Sequence, residues 1–442
     1  MTPCSKLRRL TRSDGAGEVS PDWASLGRDL VELIGWRVLA GDLQDYVRLR
    51  AVCAHWSAST AAARGRGVLD PRFHPRRWMM LPEGHGLYAG HPDLGGFVRF
   101  FNLSTGAFVR AHLPVLDDHV VLDSVDGLLL VLLHRDHDTA VRVLHPFTGD
   151  VAELPPLASL LPQMEPDRYG ELNKRGKLMR VCTSITVNPT GAITGMLALD
   201  LVHRVAHATA GDRRWTLSAW NLKPLLKSVS FQGELYALQG IMGRHKVCIY
   251  KINPPCPDAD EGPSHLPLPE KIAECPSEKF TYMLNFVECG SELLQVAYSD
   301  ASRSRLVVCR FADLISGMIE PVTSIGDNTL FIDERCVCVS VSPNKGSCLA
   351  SIPPNSIICW HSLPGDPGFA GLGRFGQYDL GTGIWTPASD GEYICQRPPP
   401  SPHTLIHHIF ACCDRKYWYK GLIVCVETEP IWMVKQDLRR GA

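Results

Sequence analysis

The sequence predicts a chain in two unequal parts: a short α-helical module near the amino end, then a mainly-β domain built as a six- or seven-bladed β-propeller. Three observations point there. Apolar residues keep helical spacing only between Asp22 and Ala63. Beyond that, short β-branched and aromatic runs alternate with turn residues. Within the β part, a Thr-Gly turn recurs at a distance that matches one propeller blade.

In the helical part, Leu30, Leu33, Ile34 and Val38 fall at i, i+3, i+4 and i+8, one stripe of a helix. Ser25 stands where an N-cap is wanted and Gly41 where the helix would stop. A second stripe, Leu49, Val52, Cys53 and Trp56, follows at i, i+3, i+4 and i+7, with Asp45 placed to cap it. Two amphipathic helices in about forty residues cannot bury both stripes alone, so the module expects a neighbour. Residues 1–21, polar and rich in Gly, Ser and Arg, read as a flexible tail. The module spans 22–63, a linker 64–75, and the β domain 76–442.

The strands are carried by local pattern. Val120–Ser124 and Leu128–Leu133 flank Asp126-Gly127, a strong hairpin signal. Similar runs are Val141–Leu144, Trp215–Trp220, Leu235–Gln239, Lys246–Ile252, Leu293–Tyr298, Leu306–Phe311, Cys336–Val341 and Leu422–Thr428. The stretches 158–180, 253–270, 353–376 and 396–403 are rich in Pro, Gly or charge and read as loops, and helix is nearly absent. FNLSTG (101–106), LHPFTG (144–149) and YDLGTG (378–383) share a hydrophobic start and a Thr-Gly turn. The first two end 149 − 106 = 43 residues apart, about one blade. The 383 − 149 = 234 residues after that leave room for roughly five more. A tandem of β-sandwiches is the competing architecture.

Composition narrows the function. With 45% hydrophobic and 21% charged residues the chain has material for a core, which excludes wholesale disorder. Lys plus Arg (45) balances Asp plus Glu (46), so no global field draws nucleic acid or an anionic membrane, and neither is expected as a partner. The 16 cysteines are scattered singly, often within apolar runs (Cys248, Cys309, Cys425), as small hydrophobes rather than a disulfide framework. No apolar stretch of signal-peptide length opens the sequence, and no window approaches ~18 apolar residues. A reducing compartment, cytosol or nucleus, is expected.

The segment DWASLGRDLVELIGWRVLAGDLQDYVRLRAVCAHWSAS resembles an F-box, whose pattern is a Leu-Pro start, a Leu/Ile helix and R-x-V-C-x-x-W. Leu26, Leu30, Ile34, Leu39, Arg50, Val52, Cys53 and Trp56 occupy matching positions, while Gly27 replaces the usual Pro and gives up a preset first turn. The remainder resembles the KIB-type β-propeller found behind F-boxes in plant proteins. The phrases that carry the likeness are DPRFHPRRWMMLP (70–82), DSVDGLLL, LHPFTGDVAELPPL and SFQGELYAL (230–238), then SIGDNTLFIDER (324–335), NSIICW (355–360), YDLGTG and EPIWMV (429–434). Residues 391–428 depart from the usual ending. The resemblance implies a non-catalytic substrate-recognition subunit of an SCF (Skp–cullin–F-box) ubiquitin ligase. Leu26, Leu30, Ile34, Leu39, Val52 and Trp56 would meet the Skp-type adaptor, and through it a cullin, while the propeller holds a target protein. The alternatives are a propeller interaction module whose degenerate F-box joins no ligase, and a propeller hydrolase or sugar-active enzyme.

Other constellations have plainer readings. GLGRFG (371–376) satisfies G-x-G-x-x-G, but a Pro/Gly loop precedes it and a strand and turn follow, so it reads as a loop rather than a dinucleotide site. His403, His407, His408, Cys412 and Cys413 sit close together, yet adjacent cysteines on a strand point oppositely and do not close a zinc tetrahedron. Cys336 and Cys338 share one face of a strand as buried neighbours. Arg72, Arg76 and Arg77 precede Trp78 as a solvated linker whose Trp anchors the first blade. Asn102 heads a glycosylation sequon that the expected compartment makes inert. No catalytic signature stands in the sequence, and no catalytic residue, metal or cofactor is expected.

Overall fold

The computed structural model describes residues 23–413, apart from 82–89, 126–128, 136–137, 167–169, 242–245, 256–264, 277–284, 300–303, 342–347, 362–371, 389–392 and 395–404. The chain divides into two compact units, Met1–Ala62 and Ala63–Ala442. The expected tail 1–21 lies outside the described residues, as do Asp126-Gly127, Leu422–Thr428 and EPIWMV.

The first unit holds three helices where the stripes indicated two: α1 (Arg28–Gly41), α2 (Leu43–Arg50) and α3 (Ala54–Ser59), after a 3-10 turn at Trp23–Ser25. Gly41 ends α1 as expected. The caps lie elsewhere than expected. Gly27, not Ser25, is the N-cap of α1, and Asp42, not Asp45, caps α2 by accepting from the Gln44 amide at 2.6 Å. The stripe Leu49–Trp56 is broken at Val52, because the Cys53 sulfur accepts from the Trp56 amide at 3.4 Å and starts α3.

The second unit is a six-bladed β-propeller. Its first sheet is β1 (Trp78–Met80), β2 (Phe97–Asn102) and β3 (Phe108–His112); the second is β4 (His119–Val125), β5 (Leu129–His134), β6 (Ala140–Leu144) and β7 (Val151–Pro156). The third is β8 (Val181–Val187), β9 (Ile193–Leu199), β10 (Arg204–Thr209) and β11 (Thr216–Leu217); the fourth is β12 (Leu225–Phe231), β13 (Glu234–Ile241), β14 (Lys246–Ile252) and β15 (Glu270–Pro276). The fifth is β16 (Asn285–Cys289), β17 (Glu292–Tyr298) and β18 (Leu306–Arg310). The sixth orders β20 (Cys336–Ser340), β19 (Asn328–Ile332), β21 (Ser356–His361), β22 (Leu372–Asp379) and β23 (Trp385–Pro387), with β24 (Tyr393–Ile394) on β22.

The cores prove the ring. Each lies between consecutive sheets: Phe100 with Leu132, Leu154 with Ile185, Val205 with Leu235, Ile249 with Phe286, and Val296 with Ile357. The sixth core returns to the start, joining Met79 and Phe101 of the first sheet to Phe331, Ile358 and Phe375 of the sixth. The Ser340 amide donates to the Leu103 carbonyl across that closure at 2.9 Å. Six sheets sharing six cores in this way is how a propeller disposes of its hydrophobic surfaces.

Several local expectations give way. The 234 residues between the second and third Thr-Gly turns carry four blade steps, not five, because inserted segments lengthen each step. The stretch 158–180 includes a 3-10 turn (Leu157–Gln163) and α4 (Gly170–Lys177); α5 (Phe311–Ile315) follows the fifth sheet. Residues 405–413 are a helix, α6 (Leu405–Cys413), not a strand. GLGRFG is not a loop: from Leu372 onward it belongs to β22, paired on both sides. The Trp215–Trp220 run shrinks to β11 because Trp215 turns into the core, donating its Nε1–H to the Pro155 carbonyl at 2.7 Å.

Candidate protein-docking face

The helical unit keeps a small core of its own. Val31, Gly35 and Leu39 of α1, Leu43 and Tyr46 of α2, Ser59 at the end of α3 and Thr60 just after it are buried. Gly35 is required there: a Cβ on it would stand 2.8 Å from Thr60 Cγ2. Tyr46 donates its hydroxyl to the Ala61 carbonyl at 2.7 Å, and Arg50 Nη1 reaches the same oxygen at 2.8 Å. Arg50 and Cys53 of the R-A-V-C-x-x-W phrase therefore hold the corner between α2 and α3 together.

Other large apolar side chains of the unit stay outside that core. Trp23 (61%), Leu30 (53%), Leu33 (56%), Ile34 (37%), Val47 (54%) and Val52 (63%) are exposed. Of the residues expected on a docking face, Leu30 and Val52 are more than half exposed and Ile34 just over a third; Leu26 and Trp56 are half-buried. Trp56 donates its Nε1–H to the Trp23 carbonyl at 3.0 Å, and His55 Nε2 donates to the Leu26 carbonyl at 2.8 Å. These bonds fasten the entry of α1 onto α3, so Trp56 is an anchor as well as a surface residue.

Leu39 is a correction. It stands four residues after Gly35 and eight after Val31, so the 3.6-residue period turns it inward, and it is only 6% exposed. Trp23 and Val47 belong to the apolar surface but were missed, since neither falls on a periodic stripe. The signal for two faces was present in α1, which is apolar along Val31–Gly35–Leu39 as well as along Leu30–Leu33–Ile34. A helix apolar on two sides has two things to cover.

In the propeller unit the repeated turn is one device used three times. At Asn102, His145 and Asp379 the side chain accepts from the amide three residues on, at 2.9, 3.1 and 2.8 Å. The carbonyl of the same residue accepts from the glycine amide four residues on, at 2.9, 2.9 and 2.8 Å. Gly106, Gly149 and Gly383 then take φ of 73°, 75° and 71°, where a Cβ would be strained.

The second copy also holds the segment expected as a linker. Asp150 accepts from the Gly65 amide at 2.8 Å and the Gly67 amide at 2.7 Å, and His145 Nε2 donates to the Phe73 carbonyl at 3.0 Å. Burial opposes the charge on Asp150, but those amides outweigh it and hold the carboxyl below its usual range. Burial pushes His145 down, so the neutral ring donates from Nε2 and accepts at Nδ1. Phe147 meets Trp78 at 5.3 Å and Phe100 at 5.2 Å, edge to face. Residues 64–75 are thus built into the β unit, with Val68, Phe73 and His74 buried, while Arg76 and Arg77 are exposed beside the buried anchor Trp78.

The His/Cys group resolves into core. Cys412 and Cys413 lie on α6 in the closing core, their thiols raised well above the ordinary range by burial, and His407 packs on Phe375 at 5.4 Å. His403 lies outside the described residues. Cys336 and Cys338 share one face of β20, half-buried. Among the described residues no three metal-ligating side chains come together, and no helix is long and apolar enough to cross a membrane.

This geometry defines a class: a β-propeller protein-interaction domain preceded by helices. The family model for the KIB1-4 β-propeller matches residues 100–381, more than half of the chain, and the chain belongs to that family. No curated protein matches it. Among solved structures, the β-propeller domain of Cps50 (Swd1) from Myceliophteria thermophila is similar at 12% identity, covering 66% of this chain and 77% of that one with a TM-score of 0.25. So loose a likeness adds nothing to the ring described above.

Proposed function

We propose that the protein is the non-catalytic recognition subunit of an SCF-type ubiquitin ligase in the cytosol or nucleus. The helical unit docks on a Skp-type adaptor, and the propeller holds the protein to be ubiquitinated. The observation that carries the reading is the apolar surface of Trp23, Leu30, Leu33, Ile34, Val47 and Val52 on so small a unit. Surface of this kind costs solubility unless a partner covers it. The F-box resemblance of residues 22–59 supplies the kind of partner. Recruitment then acts by proximity, raising the effective concentration of the target's lysines beside the charged ubiquitin carrier.

The test is co-purification of the full chain with a Skp adaptor. Wild type is expected to form a stable complex. A Leu30→Glu, Val52→Glu double variant, which alters two exposed positions, is expected to lose it while keeping the wild-type circular dichroism spectrum. Equal recovery of both would remove this face as the interface. Failure of wild type itself to bind would favour the interaction module that joins no ligase, for which Gly27 in place of Pro is the motivating departure.

A further inference from the structure

Where the fifth and sixth sheets meet, their innermost strands β16 and β20 run beside one another as the free edges of their sheets. Cys289 ends β16 and Cys338 sits at the middle of β20, and their sulfurs are 3.4 Å apart. Each residue is half-buried as a whole, and both are free thiols. Sulfurs already in contact need to close by only about 1.4 Å to reach a disulfide bond of about 2.05 Å. We propose that Cys289 and Cys338 are a redox-active dithiol, which a hydroperoxide oxidises to a disulfide joining the fifth blade to the sixth.

The chemistry divides the roles. The Cys338 S–H donates to the Cys289 sulfur, and that bond lowers the Cys289 thiol against the opposing effects of burial and Glu292. The same bond, helped by burial, raises Cys338 well above the ordinary thiol range. Cys289 is the nucleophile because the thiolate is the reacting form. Its sulfur attacks the terminal oxygen of the hydroperoxide, the O–O bond breaks, and the alcohol leaves with a proton, giving a sulfenic acid on Cys289. Cys338 then attacks that sulfur, the S–O bond breaks, and water leaves carrying the Cys338 proton. Two thiols and one hydroperoxide become one disulfide, one alcohol and one water.

Neighbouring thiols serve as controls. Cys336, two residues along β20, turns its sulfur toward the Asp333 carbonyl at 3.6 Å. Cys359 is buried and pushed up to about 12, where it has no thiolate to offer. The proposal stands whether or not the helical unit binds an adaptor.

The experiment treats reduced full-length protein with one equivalent of hydrogen peroxide and maps the products by non-reducing peptide mass spectrometry. Expected are the loss of two titratable thiols per chain and one joined peptide pair, Cys289 with Cys338. Cys338→Ser is expected to leave a Cys289 sulfenic acid that dimedone traps, and Cys336→Ser to leave the joined pair unchanged. No thiol loss in wild type, a sulfinic acid on Cys289 without cross-linking, or a pair that includes Cys336 would each overturn it. The wild-type map decides the matter even if a variant fails to fold.

Discussion

The two units treat their apolar residues in opposite ways. In the propeller each sheet shares a core with each neighbour, and the exposed large apolar residues described there, such as Leu69, Phe97, Leu201 and Met318, are spread along a unit of about 380 residues. In the helical unit six such residues stand out of a segment of about forty, and α1 is apolar on two sides. A closed ring satisfies itself, whereas three short helices satisfy only one face.

One substitution made in both places gives the largest expected contrast. Leu197, on β9, is fully buried; Leu30, on α1, is 53% exposed. Leu197→Ala is expected to destabilise the propeller by about 2–5 kcal/mol through lost burial and a cavity. Leu30→Ala is expected to shift stability by no more than about 0.5 kcal/mol, yet to weaken adaptor binding by about 2 kcal/mol or more if it is an interface anchor. Urea denaturation and a binding titration on both variants check this. Similar stability losses at the two sites would break the comparison.

How much of this was legible depends on how local the cause is. Lys246–Ile252 is β14 residue for residue, and the Thr-Gly turns stand where they were read, because alternation and a glycine at positive φ are written in consecutive residues. Blade count was not legible: it depends on the length of insertions between sheets, and a 43-residue first step says nothing of later ones. The α6 helix was missed because Leu405–Cys413 is apolar nearly all round and lacks a clean period, as a helix sunk into a ring closure should. Leu39 lies inside because the helical phase set by Val31 and Gly35 overrides the position that the motif assigns it. Register between β19 and β21, which pair in parallel, is a long-range choice with no local mark.

The junction of segment 65–80 with the second blade offers a middle-sized test. Asp150→Asn keeps the shape and removes the charge that the Gly65 and Gly67 amides hold. At neutral pH it is expected to cost about 1–2 kcal/mol, the lower part of the range for hydrogen bonds to a charge because the carboxylate is partly solvated. The folded-state pKa of Asp150 is lowered, so its contribution is present above the unfolded value of about 4 and fades as pH falls from there through the folded value. Denaturation midpoints over the acid range should therefore converge for wild type and variant as pH drops. A constant gap would mean that the amides bind the asparagine equally well, and that the lock is one of shape.

The smallest effect is expected at Gly27, where the helical unit departs from the F-box pattern. Its φ of −57° already suits proline, and a Cβ there meets nothing within 4 Å. Its carbonyl, which proline keeps, accepts from the Leu30 and Val31 amides at 3.1 Å each. Gly27→Pro should therefore remove freedom from the unfolded chain without disturbing the folded one, a gain of about 0.4–1 kcal/mol for the helical unit. A rigid first turn also presets Leu30 and Ile34, so adaptor affinity should rise by the same or a smaller factor. Calorimetry of the full chain and a titration with adaptor check the two halves separately. A stabilised unit with unchanged affinity would place the docking contacts away from α1, on the Val47 and Val52 side of the helical unit.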